Sequence, residues 1–159
     1  MNVHADDLEI VDQDKFEYWY FYSFPCQDIS AAGLQKGLKT SQKDGGTRSG
    51  LLWEVERMLV ELHDQGKHMD CLFLENVPQL IQTKFVKDFQ KWEKRLTELG
   101  YKNYIEVLNT KEYGIPQNRQ RVFMVSVYGD HFYEFPRKTE LKYFLKDLLL
   151  FLPMIFRSK

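Results

Sequence analysis

Apolar and polar positions follow two different periods along the chain. Tyr18-Trp19-Tyr20-Phe21-Tyr22 is a continuous run of β-forming side chains, which reads as a strand buried on both faces of a mostly parallel sheet. Leu52, Val55, Leu59 and Leu62 then recur at helical spacing with Leu51 and Met58 beside them, while Glu54, Glu56, Arg57 and Glu61 fill the opposite side. That pattern predicts an amphipathic helix covering the sheet, with Ser49 as its cap. Cys71-Leu72-Phe73-Leu74 is a second short buried strand. Phe85, Phe89, Trp92, Leu96 and Leu99 form another helical stripe, closed by Gly100. Tyr101 to Leu108 reads as a strand with Ile105 and Val107 on one face and Tyr104, Glu106 and Leu108 on the other, and Val122 to Val127 is a further apolar strand. Strands alternating with helices predict a three-layer α/β fold.

The polar residues that interrupt these runs sit at their ends. Pro25 stops the first strand, because it lacks a ladder donor, and leaves Cys26 at the carboxyl edge, where open α/β sheets bind ligands. A lone cysteine is by itself most often a small buried hydrophobe. Glu75-Asn76-Val77-Pro78 follows the second strand and brings an acid to the same edge, so parallel neighbours would set Glu75 near Cys26. An acid there is otherwise an ordinary solvated turn residue. Gln117, Arg119 and Arg121 alternate ahead of the Val122 strand and share one face, either as donors lining a cleft or as charges blunting an edge strand. Between Gln27 and Ser49, Gly33, Gly37, Gly45 and Gly46 alternate with Lys36, Lys39, Lys43 and Arg48. This is a long loop, read either as solvated surface or as a lid carrying cations to phosphates. His63 and His68 stand five apart and read as solvated residues, with no metal site; Cys71 reads as core.

Composition narrows the setting. The chain has 159 residues, a net charge of -1 and 15% aromatic residues, so no global basic surface advertises a nucleic acid and any such surface is local. Cys26 and Cys71 form no Cys-x-x-Cys pair, and no signal-peptide pattern is seen, which points to a reduced, cytoplasmic setting. The run from Leu148 to Phe156 is broken by Pro153 and falls short of the roughly 18 residues of a membrane span.

Three stretches, taken in order, carry a resemblance. Ser23-Phe24-Pro25-Cys26-Gln27-Asp28-Ile29-Ser30, then Glu75-Asn76-Val77-Pro78, then Tyr113-Gly114-Ile115-Pro116-Gln117-Asn118-Arg119-Gln120-Arg121 resemble the catalytic motifs of the cytosine-C5 DNA methyltransferases of bacterial and phage restriction-modification type. The likeness spans roughly residues 18 to 127. It implies the sheet of S-adenosylmethionine-dependent methyltransferases, incomplete here. It also implies methyl transfer from S-adenosylmethionine to C5 of a cytosine flipped from double-stranded DNA. Cys26 would be the nucleophile that adds to C6. Glu75 would serve N3 of the base, kept protonated by an apolar, water-poor site; Arg121 would donate to O2, and Arg119 would orient the cysteine loop. Pro25, Gln27, Asn76 and Gln117 would contact the substrate.

The departures from the family bear on partners. The glycine-rich turn that holds S-adenosylmethionine is not found, since the first glycine is Gly33, so the cofactor pocket is incomplete in this chain. Residues 1–135 read as a partial catalytic domain and 136–159 as a short segment at the start of a target-recognition region. The chain is expected to be a subunit that works with a complementary methyltransferase polypeptide, a truncated product, or a piece of the catalytic half, and to associate through uncovered apolar surface. The alternatives are a non-catalytic or regulatory fragment, and an RNA cytosine-C5 methyltransferase on the same scaffold.

Overall fold

The computed structural model describes residues 4–24, 52–82, 85–140 and 142. The expected cap Ser49, the glycine-lysine loop and the run from Leu148 to Phe156 lie outside these residues.

Among the described residues, four strands form one sheet: β1 (Trp19–Tyr22), β2 (Cys71–Asn76), β3 (Tyr101–Asn109) and β4 (Gln120–Tyr128). Their spatial order is β1-β2-β4-β3. β1 and β2 are parallel, with Tyr22 opposite Leu74. β4 runs antiparallel to both β2 and β3, so three of the four strands share one direction and β4 lies between two of them. It is not the edge strand that its charges allowed. Its apolar core explains the placement: Val122, Met124, Val125 and Ser126 are all at most 1% exposed, which an edge position would not provide.

Helix α1 (Leu52–Asp64) joins β1 to β2, and α2 (Val86–Glu98) joins β2 to β3. The α2 stripe is found buried, and the described part of the α1 stripe is buried apart from Val55, which is partly so. Leu52, Met58, Leu59 and Leu62 of α1, and Phe85, Phe89, Trp92, Leu96 and Leu99 on and around α2, share one core with Tyr22, Leu72, Leu74, Val122 and Met124 of the sheet. Among the described residues Trp92 is the largest fully enclosed side chain; its Nε1 donates to the Tyr22 hydroxyl at 3.1 Å. Burial pushes that phenol above its usual range. Ala5 and Ile10, ahead of β1, also join this core, and the Ala5 N–H donates to Glu61 of α1 at 3.0 Å.

All of this lies on one face of the sheet, so among the described residues two of the three expected layers are present. The aromatic run of β1 is accordingly not buried on both faces. Tyr22 is buried, but Trp19 and Phe21 are 57% and 65% exposed. Phe21 meets Phe73, and Phe73 meets Phe123, in an aromatic ladder across the open face at ring separations of 5.4 and 5.6 Å. Five aromatic residues in succession carry no polar alternation, so the run itself could not reveal which side stays open. His68 also differs from the expected solvated residue: its ring stacks on Tyr128 at 3.9 Å, while His63 is exposed.

Candidate active site at the β2 and β4 ends

β2 extends through Asn76, two residues beyond the apolar run, because Glu75 and Asn76 still pair with Phe123 and Val122 of β4. Strand alternation sends these two polar side chains in opposite directions. Glu75 points to the open face with Phe73 and Phe123, and Asn76 points into the core.

At the open face, Glu75 lies between two arginines. Arg121 Nε is 2.9 Å from Glu75 Oε1 and Arg119 Nη2 is 3.7 Å from the same atom. The side chains of Glu75 and Arg121 are 34% and 25% exposed, so the pair is partly sheltered but open to an incoming group. These residues border a cavity of about 240 Å3, whose walls are Leu108, Tyr113, Ile115 and Phe123, with Thr110 beside them. Apolar walls around a few convergent polar groups are the usual character of a small-ligand site. Here the acid faces two guanidinium groups, a more polar neighbourhood than the water-poor pocket anticipated for Glu75.

Asn76 does something different from touching a ligand. It is 2% exposed; its Nδ2 donates to the Phe24 carbonyl at 3.1 Å, and its Oδ1 accepts from the Val77 N–H at 2.9 Å. It thus ties the chain just beyond β1 to the end of β2. Phe24 is the residue before Pro25 and Cys26. Pro25, Cys26 and Gln27 themselves lie outside the described residues.

Of the remaining candidates, Arg119 precedes β4 and reaches Glu75, whereas Gln117 is exposed and does not border the cavity. The loop from β3 to β4 turns through Gly114 at φ +77°, a left-handed conformation that favours glycine. Asn109 and Thr110 hold this loop and were not among the residues singled out from the sequence. Their signal was present: two polar residues end an otherwise strand-like run immediately before Tyr-Gly-Ile-Pro. No positive-φ glycine among the described residues builds a nucleotide cradle; Gly66, Gly100, Gly114 and Gly129 each serve a turn or helix end.

Comparison with known proteins bears on the family and the fold. The C-5 cytosine-specific DNA methylase family matches residues 2–148. Orphan methyltransferase M.SssI of Spiroplasma monobiae is 45% identical over 130 residues, covering 80% of this chain and 32% of that protein. Type II methyltransferase M2.ScrFI of Lactococcus lactis subsp. cremoris is 41% identical over 152 residues, covering 94% of this chain and 40% of that protein. The chain therefore spans about a third to two-fifths of the length of these relatives. Among solved structures, the Entamoeba histolytica methyltransferase EhMeth superposes with a TM-score of 0.56 at 19% identity, over 77% of this chain and 36% of that one. The S. pombe Dnmt2 methyltransferase gives 0.54 at 17% identity, over 94% and 36%. The fold is thus the methyltransferase α/β fold in part, and on the extent of the family match the chain belongs to the C-5 cytosine-specific DNA methylases.

Proposed function

We propose that this chain supplies the catalytic centre of a DNA cytosine-5 methyltransferase. The observation that carries the reading is the convergence of Glu75, Arg121 and Arg119 on one apolar-walled cavity, beside a strand end that Asn76 fastens two residues ahead of Cys26.

In this reading the Cys26 thiolate adds to C6 of a cytosine that has left the duplex, and the electron pair displaced from the C5–C6 bond makes C5 nucleophilic. Glu75 meets N3, where charge develops. Arg121 leaves its pairing with Glu75 to donate to O2, and Arg119 stays beside the acid and steadies the cysteine loop. Pro25 and Gln27 flank the nucleophile and Gln117 meets the substrate outside the cavity, while Asn76 acts by positioning. Once C5 had taken the methyl group that the bound cofactor would supply, loss of the C5 proton to a base and expulsion of the Cys26 thiolate from C6 would release 5-methylcytosine and restore the enzyme.

S-adenosylmethionine, the methyl donor of such enzymes, meets no fitting cradle among the described residues, so its binding is assigned to residues beyond them. The partners are double-stranded DNA and the remainder of a methylase domain, carried on this or a complementary polypeptide. The chain's share of its relatives' length supports a second reading, in which it is inactive until that remainder is supplied.

A chimera tests the proposal: this chain replaces the matching 130-residue stretch of the Spiroplasma relative, and transfer of labelled methyl groups to duplex DNA is followed. Transfer that Cys26→Ser abolishes, and that Glu75→Gln lowers by roughly 100-fold, the scale of one acid–base contribution, is expected. A folded chimera that transfers nothing, or transfers equally without the thiol, would overturn it.

A further inference from the structure

We infer that Thr110, with Asn109, is a positioning residue for the two arginines: it clamps the segment that delivers Arg119 and Arg121 to Glu75. The inference deepens the functional reading above and rests on it for its meaning, although the clamp is tested without catalysis.

The hairpin ladder between β3 and β4 sets Leu108 opposite Arg121 and Asn109 opposite Gln120. It ends there. Arg119 lies one residue outside β4, and nothing in the sheet itself fixes residues 117–119. Those residues are instead held one by one from the end of β3. The Thr110 N–H donates to the Arg119 carbonyl at 3.1 Å. Asn109 Nδ2 donates to Asn118 Oδ1 at 2.8 Å. The Thr110 hydroxyl donates to the Gln117 carbonyl.

Thr110 is also the hub of the turn. Its carbonyl accepts from the N–H groups of Tyr113 at 3.0 Å and Ile115 at 3.3 Å, and both of those side chains wall the cavity. One residue therefore sets the cavity wall on one side and the path of the arginine-bearing segment on the other. Threonine suits the task because its branched Cβ restricts χ1 and holds the hydroxyl in one direction. Asn109 is 4% exposed and uses both ends of its amide, its Oδ1 accepting from the Lys111 N–H at 3.3 Å.

The arrangement matters for the arginines because Arg119 is held near Glu75 at 3.7 Å by a side chain that is 48% exposed. An exposed long side chain has no packing to keep it there, so its backbone must be fixed if the guanidinium is to stay aimed. Loss of the hydroxyl leaves the sheet ladder intact and removes the bond that holds Gln117, which loosens the clamp on the segment ahead of Arg121.

The experiment compares the full chain with Thr110→Val, which keeps the shape and removes the hydroxyl, and Thr110→Ser, which restores it. Two quantities are read by NMR: exchange of the residue 110 amide, and the Overhauser contact between the Arg119 and Glu75 side chains. In Thr110→Val the amide is expected to exchange about tenfold faster, the scale of one lost hydrogen bond. The Arg119–Glu75 contact should vanish while the Trp92–Tyr22 contact persists, and Thr110→Ser should recover both. Persistence of the Arg119–Glu75 contact in Thr110→Val would overturn the inference. If Thr110→Val also loses the Trp92–Tyr22 contact, the exposed substitution Asn118→Ala decides by the same criterion. Failure of the methylating chimera would count against the catalytic reading and leave this result standing.

Discussion

Asn76 illustrates how one residue type is used for its two polar ends. Its amide is enclosed, and both of its hydrogen bonds go to backbone groups, so truncation strands the Phe24 carbonyl inside the protein. Asn76→Ala is expected to lower stability by about 1–3 kcal/mol, measured as a reduced midpoint in urea at unchanged slope; an unaltered midpoint would show that the tether carries no free energy. Asn76→Asp should cost a similar amount, since it keeps the acceptor for Val77 and loses the donor to Phe24. At this scale the sequence was informative about identity and less so about direction. Glu75, Arg119 and Arg121 are legible as a group because their motifs place them at strand ends, and they meet. Asn76 is legible as important, yet only the strand's continuation past Leu74 sends its side chain inward, away from the substrate contact expected of it. The apolar run alone does not show that continuation, because β2 lengthens through its pairing with β4.

Among the elements, α2 follows most directly from its pattern. The five apolar residues at helical spacing on and flanking it are all buried, and Gly100 closes it at φ +95°. A side chain at that position would be doubly penalised, by the left-handed backbone and by an added Cβ 2.9 Å from the Tyr128 ring. Gly100→Ala should therefore destabilise the chain by roughly 1–3 kcal/mol, again measured by chemical denaturation. Retention of full stability would mean that the turn relaxes freely. β1 shows where periodicity stops helping: its burial is decided by what covers each face of the sheet. β4 is a second such case. Its apolar core reads equally well as a parallel or antiparallel strand, and its place between β2 and β3 arises from long-range pairing. That place matters for the proposed site, since it sets Arg121 beside Glu75 on the same face.

On the scale of the whole molecule, the exposed aromatic surface at the β1 side of the sheet is the dominant feature among the described residues, while Val125 and Cys71 further along the same face are buried. Trp19 and Phe21 stand exposed above the Phe73–Phe123 ladder, while both helices cover the other side. Contiguous apolar surface of this kind favours association. The isolated chain is expected to self-associate with rising concentration, and the double substitution Trp19→Lys with Phe21→Lys to shift it towards monomer in sedimentation velocity. Equal sedimentation of the two chains would remove that expectation. The same incompleteness governs how the chemistry is best examined, because the chain matches about a third to two-fifths of its relatives. The most direct measurement is covalent trapping by the chimera with the Spiroplasma relative, given S-adenosylmethionine and duplex DNA carrying 5-fluorocytosine. Fluorine at C5 leaves no proton to remove, so the thiol that attacked stays attached. The account predicts a mass increase equal to the DNA strand plus one methyl group, mapped to Cys26 by peptide analysis and lost in Cys26→Ser. A folded, DNA-binding chimera that forms no adduct, or one that forms it at another residue, would contradict the assignment of this chain as the catalytic centre.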